Sequence, residues 1–148
     1  MPILNYTTQI DIKKTANGIQ NKLSEAGAEA VMVEYRDGDP SAISFRIQTP
    51  QGLLSFRMPS NPDGVLKALI NHPKVPQRLC HRQQATRVSW RILKDWVEVQ
   101  LAMVESGNAE LTQVFLSYVQ HPETGQPLFE RLKDQGFAML TEKAGDSV

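Results

Sequence analysis

The sequence has a single cysteine, Cys80, and no long apolar run. One cysteine excludes a disulfide within the chain and fits a reducing compartment. No stretch approaches the roughly 20 apolar residues that a membrane-spanning helix needs. The N-terminal residues also lack the basic and apolar regions of a signal peptide. We therefore predict a cytoplasmic protein with no membrane partner.

The chain also lacks a net charge, because 16 Lys and Arg residues balance 16 Asp and Glu residues. Proteins that coat DNA without sequence preference usually carry a net basic domain, so this balance argues against that role. Hydrophobic residues make up 41% of the chain and charged residues 22%, which is typical of a globular rather than a disordered protein. At 148 residues the chain fits one domain.

Signatures of catalysis and of metal binding are missing as well. Cys80 and His81 are adjacent, and neighbouring residues rarely converge in the geometry that a Cys–His nucleophile needs. Together with His72 and His121 they do not have the spacing of zinc ligands, and no glycine-rich nucleotide motif is present. We therefore expect no enzyme activity, no metal and no cofactor. A pair of catalytic carboxylates that is distant in the sequence and comes together only in the fold cannot be recognised from the sequence.

The first half of the chain predicts a sheet with one helix. Alternating patterns predict four strands, over residues 3–10, 30–36, 41–48 and 53–58. Asp11 and Gly27 are placed to begin and end a helix over residues 12–26. Short connections between the later strands favour antiparallel pairing, which gives a β-α-β-β-β arrangement with the helix packed on one face.

The second half of the chain predicts a group of helices. Spacing and capping residues predict helices over residues 62–71, 83–106, 109–120 and 128–135. Together the two halves predict a single α+β domain over residues 1–140 and a flexible C-terminal tail over residues 141–148. The longest helix is apolar around more than half of its circumference, which also suits a homodimer.

Six of the sixteen Lys and Arg residues lie between residues 74 and 94, and no acidic residue interrupts them. Five of these six predict a ligand-binding site: Lys74, Arg78, Arg82, Arg87 and Arg91. They occupy a Pro-containing loop and the first half of the longest helix, where free backbone N–H groups favour a phosphate. The same pattern is typical of the solvated face of a helix, and both interpretations stay open.

Two cations of this basic segment have candidate partners within the helix. Arg91 and Asp95 are four residues apart, as are Lys94 and Glu98, and such exposed pairs stabilise a helix by about 0.3–0.5 kcal/mol each. The cations nearer the loop have no such partner. We therefore expect an anion to bind at the loop and the start of the helix rather than further along the helix.

A second candidate surface is the face of the sheet that the helix does not cover. Arg46 and Arg57 project from it on neighbouring strands, together with Ser44, Gln48 and Ser55. Two guanidinium groups on a polar platform suit an anionic ligand. The aromatic residues of these strands point the other way, which argues against stacking of nucleic-acid bases. An ordinary solvated sheet face is the alternative interpretation.

Four segments resemble a family of small uncharacterised proteins that bacterial prophages and mobile elements encode: LNYTTQID (4–11), ISFRIQTPQG (43–52), VSWRILKDWVEVQLAMVESG (88–107) and VFLSYVQ (114–120). The similarity extends over residues 2–140 and brings no catalytic residue with it. It implies an accessory protein that acts in the cytoplasm of a bacterial host cell. Small phage proteins of this kind commonly inhibit host defence, regulate expression or assist replication.

These observations predict a non-catalytic phage-type accessory protein that binds an anionic ligand. The first hypothesis is an anti-defence role, in which the protein sequesters a nucleotide-type host-defence signal. A small polyphosphate or cyclic nucleotide needs only a few local cations, which fits a chain without net charge. The alternatives are a nucleic-acid-binding accessory protein and a protein–protein inhibitor of a host factor.

Overall fold

The computed structural model describes residues 1–142, and within them the fold is α+β, with a three-stranded antiparallel sheet and five α-helices. The elements are α1 (Ile12–Glu25), β1 (Ala30–Arg36), β2 (Asp39–Thr49), β3 (Gly52–Pro59), α2 (Pro62–Asn71), α3 (Arg82–Glu105), α4 (Leu111–Val114) and α5 (Leu128–Asp134). Short 3-10 turns occupy Gln77–Leu79 and Leu116–Tyr118. Across these 142 residues, no helix is long and apolar enough to cross a membrane.

Helix α1 begins at the predicted residue and ends one residue before its predicted end. The Asp11 carboxylate accepts a hydrogen bond of 3.1 Å from the Lys13 backbone N–H, which satisfies one of the free donors of the first turn. At the other end Gly27 has a φ of +104°, and the Ala28 N–H donates back to the Leu23 carbonyl. This left-handed ending favours glycine because glycine has no Cβ.

The strands pair in the order β1-β2-β3 through two tight hairpins. Phe45 of β2 lies opposite Phe56 of β3, and the two rings stack with centroids 4.9 Å apart. Both rings are buried in a cluster with residues of α1 and α3. We call this side the inner face of the sheet, and the alternating residues form the outer face.

The strand predicted over residues 3–10 is wrong. This segment forms turns, in which the Thr8 N–H donates to the Asn5 carbonyl and Asn5 has a φ of +64°. The carbonyls of Tyr6 and Thr8 accept hydrogen bonds, each 2.9 Å long, from the side-chain amide of Gln84 on α3. Hydrogen bonds within the turns and to Gln84 of α3 therefore take the place of strand pairing in residues 3–10. The order of the elements is α-β-β-β rather than β-α-β-β-β.

Helix α3 contributes to two buried clusters. Its Trp90 and Val97 pack with α1 and the inner face of the sheet, whereas Ala85 and Val88 pack with α2 and the loop before α3. Trp90 is fully buried, and its indole Nε1 donates to the Pro40 carbonyl at 2.9 Å. That hydrogen bond fixes α3 to the beginning of β2.

The helix predicted over residues 109–120 is also wrong, because α4 ends after one turn. Phe115, the next residue, is fully buried and packs edge-on against Phe56, with ring centroids 6.0 Å apart. The chain then runs beside β3, where the Gln120 N–H donates to the Ser55 carbonyl at 2.8 Å. Burial of the ring and pairing with the edge of β3 outweigh the local helical preference.

The remaining helices lie close to their predicted bounds. Helix α2 matches its prediction. Helix α3 begins and ends one residue earlier than predicted, and α5 ends one residue earlier. Asn61 caps α2 by accepting a hydrogen bond of 3.1 Å from the Gly64 N–H. The predicted C-terminal tail lies outside the described residues from residue 143 onward.

Candidate anion-binding site

The outer face of the sheet carries three rows of side chains, with one residue from each strand in every row. The register gives the rows Ala30–Arg46–Ser55, Met32–Ser44–Arg57 and Glu34–Ala42–Pro59. Because successive residues of a strand alternate between faces, these side chains point away from the stacked phenylalanines. The structure therefore brings Arg46 and Arg57, two of the predicted ligand-binding residues, to one surface.

Arg57 forms an ion pair with Glu34 across the central strand. Its Nε donates to Oε2 at 2.7 Å and its Nη2 donates to Oε1 at 3.2 Å. The two side chains start from β3 and β1, which lie about 10 Å apart with β2 between them. The side chains of β2 beneath the pair are small, Ala42 and Ser44, and both are buried although they face outward. We attribute their burial to cover by the ion pair.

The ion pair favours the charged form of both partners. The hydrogen bond from Arg57 lowers the pKa of Glu34, and partial burial opposes this effect only in part. The hydrogen bond to Glu34 raises the pKa of Arg57, and the Glu130 carboxylate adds a smaller effect in the same direction. Arg57 and Glu34 are therefore both charged at neutral pH.

Arg46 is the more open of the two guanidinium groups. Its Nε donates to Glu29 Oε1 at 2.9 Å, and about half of each side chain is exposed, 52% for Arg46 and 48% for Glu29. Within residues 1–142, neither Nη atom of Arg46 donates a hydrogen bond. The same holds for Nη1 of Arg57 in this part of the chain. These N–H groups remain available to a ligand.

A cavity of about 420 Å³ lies on the outer face between the two ion pairs. Small side chains form its floor, and longer ones surround it: Ala30, Ser44 and Ser55 below, with Met32, Glu34, Arg46, Arg57 and Gln120 around them. It is a shallow depression that is largely open to solvent. We call it the outer-face cavity. Met32, 58% exposed, gives it an apolar wall.

The basic segment between residues 74 and 91 is distributed differently from the sequence-based prediction. Arg82 and Arg91 are nine residues apart on α3, so they project from opposite sides of the helix, about 180° apart. Arg82 forms an ion pair with Asp63 of α2. It also lines a cavity of about 820 Å³ together with Arg57, which the structure thus brings to the same cavity, with Arg36, and with three aspartates and Glu34. Cations and carboxylates are therefore mixed around Arg82.

Arg87 has a partner inside the protein. Its Nη1 donates to the side-chain oxygen of Gln84 at 3.0 Å. Gln84 is fully buried, and its amide nitrogen holds the N-terminal segment. Arg87 therefore completes the hydrogen bonding of a buried amide. Lys74 and Arg78, in contrast, are exposed in the loop before α3, where either solvent or an anion can reach them.

Of the two expected pairs within α3, one is present. Lys94 forms an ion pair with Glu98, and this hydrogen bond lowers the pKa of Glu98. The prediction of an Arg91–Asp95 pair is wrong, because within residues 1–142 Arg91 forms no ion pair. The side-chain amide of Asn5 instead donates to Asp95 Oδ2 at 2.7 Å. The Asp95 carboxylate of α3 therefore binds Asn5, in a turn of the N-terminal segment.

Several residues of the outer-face cavity were missed at the sequence level. Glu29 and Glu34 form ion pairs with Arg46 and Arg57. Met32 forms the apolar wall, and Gln120, from the C-terminal part of the chain, also lines the cavity. The alternation of residues 30–36 places Met32 and Glu34 on the outer face and could have identified them. Nothing in the sequence around Gln120 indicates that it lies beside β3.

The outer-face cavity offers charge pairing and hydrogen bonding, and its lining contains no histidine or cysteine. Among residues 1–142, no group of three or more His, Cys, Asp or Glu side chains is placed to hold a metal ion. Comparison with family models, with curated proteins and with solved structures finds no match to this chain.

Proposed function

We propose that this protein is a non-catalytic binding protein for a small anionic ligand of the nucleotide type, and that the outer-face cavity is its binding site. One observation supports this above all: Arg46 and Arg57 line the same cavity and keep N–H donors that have no partner within residues 1–142. Guanidinium groups bind phosphate oxygens through paired hydrogen bonds. The exposed Met32 beside them suits a ligand that also has an apolar part.

The carboxylates of Glu29 and Glu34 have two effects on such a ligand. Each orients one arginine before binding, which reduces the side-chain entropy lost when the ligand binds. Each also carries a negative charge at the edge of the cavity. A long polyanion would place several phosphates near these carboxylates, so the arrangement favours a small ligand over a nucleic acid.

We propose sequestration of a nucleotide-type host-defence signal as the cellular role, an anti-defence activity of a phage-type accessory protein in the host cytoplasm. This role rests on the resemblance to proteins of prophages and mobile elements. It needs a binding site, which the ion pairs and hydroxyls of the outer-face cavity can provide.

Nucleic-acid binding is the second candidate function, because Lys74 and Arg78 are exposed beside the start of α3. The two functions differ in their dependence on salt. A surface that contacts several phosphates loses affinity steeply, with a logarithmic slope of about −0.7 to −0.9 for each phosphate neutralised. A cavity that holds one or two phosphates has a shallow slope. Binding of DNA or RNA with a steep slope that Lys74→Ala and Arg78→Ala reduce would favour the second candidate.

Isothermal titration calorimetry at low ionic strength tests the proposal directly. The ligands are pyrophosphate and a panel of mononucleotides, cyclic nucleotides and ADP-ribose. We expect at least one of them to bind the wild-type protein, and Arg46→Ala to weaken that binding at least tenfold, about 1.4 kcal/mol. Lys13→Ala is the control, because it removes one exposed cation from α1, away from the cavity.

The proposal fails if no ligand of the panel binds the wild-type protein. It also fails if Arg46→Ala and Lys13→Ala weaken binding by the same factor, since the loss would then reflect net charge alone. Circular dichroism of each variant checks that the fold is retained.

A further inference from the structure

Strand β1 (Ala30–Arg36) forms an open edge of the sheet. It pairs with β2 on one side, and in the part of the chain that the structure describes no other backbone segment pairs with its second side. The opposite edge of the sheet is covered, because Val119 bridges Phe56 and the Gln120 N–H donates to the Ser55 carbonyl. About half of the N–H and C=O groups of β1 therefore point away from the sheet toward solvent.

The features that usually keep such an edge from pairing are missing from β1. Natural proteins protect exposed edges with lysine, proline and bulges. Strand β1 contains no lysine and no proline, and the one irregularity in its pairing leaves Ser41 of β2, rather than a residue of β1, without an opposite residue. Of its two charged residues, Glu34 is held across β2 by Arg57, and Arg36 is the last residue of the strand. The edge is therefore free to pair with a further strand.

The inner face of the sheet is also open at β1. On β2 and β3 the inner-face residues Ile43 and Phe56 are fully buried. On β1, Val31 and Val33 pack against the same core but stay partly exposed. Tyr35, the next residue in the alternation, is 61% exposed. A further strand beside β1 would remove this apolar surface from water, which favours association.

The sequence of β1 is complementary to a second copy of itself. In antiparallel pairing centred on Val33, the middle residue, all seven residues of the strand have an opposite residue. Apolar side chains then face each other on the inner face, and no two like charges are opposite. The opposite pairs are Val33–Val33 and Val31–Tyr35 on the inner face, and Met32–Glu34 and Ala30–Arg36 on the outer face. Registers centred on other residues pair fewer residues of the strand, and the one centred on Glu34 places two carboxylates opposite each other.

From this complementarity we infer that the protein forms a two-fold symmetric dimer in which the β1 strands of two copies pair antiparallel, so that two sheets become one sheet of six strands. The inference goes beyond the proposed function. It places the contact at β1 rather than at α3, whose apolar circumference is the basis of the homodimer predicted from the sequence. Ala30, Met32 and Glu34 line the outer-face cavity, so the second copy would lie directly beside that cavity. Because an interface of one strand edge is small, the dimer should dissociate on dilution.

Size-exclusion chromatography with light scattering, over a range of protein concentrations, tests the inference. We expect the mass of the wild-type protein to approach twice that of one chain as its concentration rises. Tyr35→Lys should raise the dissociation constant about tenfold or more, because the lysine would lie against Val31 of the second copy. Ile70→Lys is the matched control, since Ile70 of α2 has the same exposure of 61% and lies away from β1. Circular dichroism checks that each variant is folded.

The inference is wrong if the wild-type protein stays a monomer at the highest concentration at which it is soluble. It is also wrong if Tyr35→Lys and Ile70→Lys weaken the dimer equally, since the loss would then reflect the added charge alone. Val99→Lys alters a residue of α3 that is 58% exposed. If this variant dissociates the dimer and Tyr35→Lys does not, the contact lies on α3, which contradicts pairing at β1.

Hydrogen exchange gives a second readout of the same contact. In the dimer, the amides of β1 that point away from β2 should be protected, and Tyr35→Lys should remove this protection while Ile70→Lys retains it. A dimer in which these amides exchange freely would contradict edge pairing. Neither experiment uses a ligand, so failure of the dimer and failure of the proposed anion site are told apart.

Discussion

Arg57 on β3 and Glu34 on β1 are joined by two hydrogen bonds that cross over the central strand of the sheet. The pair exists because β2 carries small residues, Ala42 and Ser44, at the positions that it crosses. It links the two outer strands on the outer face of the sheet. It also forms one wall of the outer-face cavity. A single interaction therefore contributes both to the stability of the sheet and to the candidate site.

We predict that Glu34→Gln lowers the free energy of unfolding by about 0.5–1 kcal/mol at pH 7, since the pair is half-buried and doubly hydrogen-bonded. The pKa of Glu34 is lower in the folded protein than the ordinary value of 4.5. The unfolded chain therefore binds this proton more readily, and the contribution of Glu34 is complete above about pH 4.5 and is lost as the pH falls through its folded pKa.

Urea denaturation of both proteins between pH 7 and pH 2.5 measures this contribution. The difference in unfolding free energy between wild type and Glu34→Gln should shrink as the pH falls below 4.5. The raised pKa of Arg57 adds stability that would be lost only above its ordinary value, in strong alkali. A difference that stays constant down to pH 2.5 would contradict the assignment of the effect to Glu34.

Gln84 offers a test of how the N-terminal segment is held. Its buried amide donates to the carbonyls of Tyr6 and Thr8 and accepts from Arg87. Gln84→Ala leaves these groups without their partner, so we expect a loss of about 2–3 kcal/mol in unfolding free energy. Gln83→Ala is the matched control, because the neighbouring side chain is exposed, and it should cost less than about 0.5 kcal/mol. Equal losses in the two variants, measured by chemical denaturation, would contradict this role of Gln84.

Gly18 offers a test of the contact between α1 and α3. A Cβ at this position would lie 2.7 Å from Lys94 Cε, the flexible end of that side chain. Gly18→Ala should gain about 1 kcal/mol in helix propensity and lose the Lys94–Glu98 pair, about 0.3–0.5 kcal/mol. We therefore expect an unfolding free energy that is unchanged or slightly higher. The pKa of Glu98, now lowered by Lys94, should rise toward its ordinary value in an NMR titration. A clear loss of stability with an unchanged pKa would show that Lys94 cannot move aside.

Local signals in the sequence predicted most of the fold. Asp11 and Gly27 stand at the two ends of α1 as predicted, and the two hairpins follow the alternation and turn residues of the chain. The errors lie where distant residues decide the structure. Residues 3–10 have the alternating pattern of a strand. Their carbonyls at Tyr6 and Thr8 instead accept hydrogen bonds from Gln84, which is more than 70 residues away in the chain.

The candidate site could be predicted only in part, for the same reason. Alternation placed Arg46 and Arg57 on one face, but their partners are 17 and 23 residues away in the chain, and only the strand register brings them together. The basic segment misled the prediction because its cations are close in sequence. Around α3 they point in different directions, and three of them have partners in the protein, Asp63 for Arg82, Gln84 for Arg87 and Glu98 for Lys94.

The most direct test of the central claim is a titration of the ¹⁵N-labelled protein with pyrophosphate and then GMP, followed by amide chemical shifts. If the outer-face cavity is the anion site, the largest shifts fall on β1, β2 and β3 around Met32, Ser44, Arg46 and Ser55, and Arg46→Ala requires at least tenfold more ligand to produce them. Shifts concentrated at residues 74–91, or no shift at any concentration, would contradict the claim.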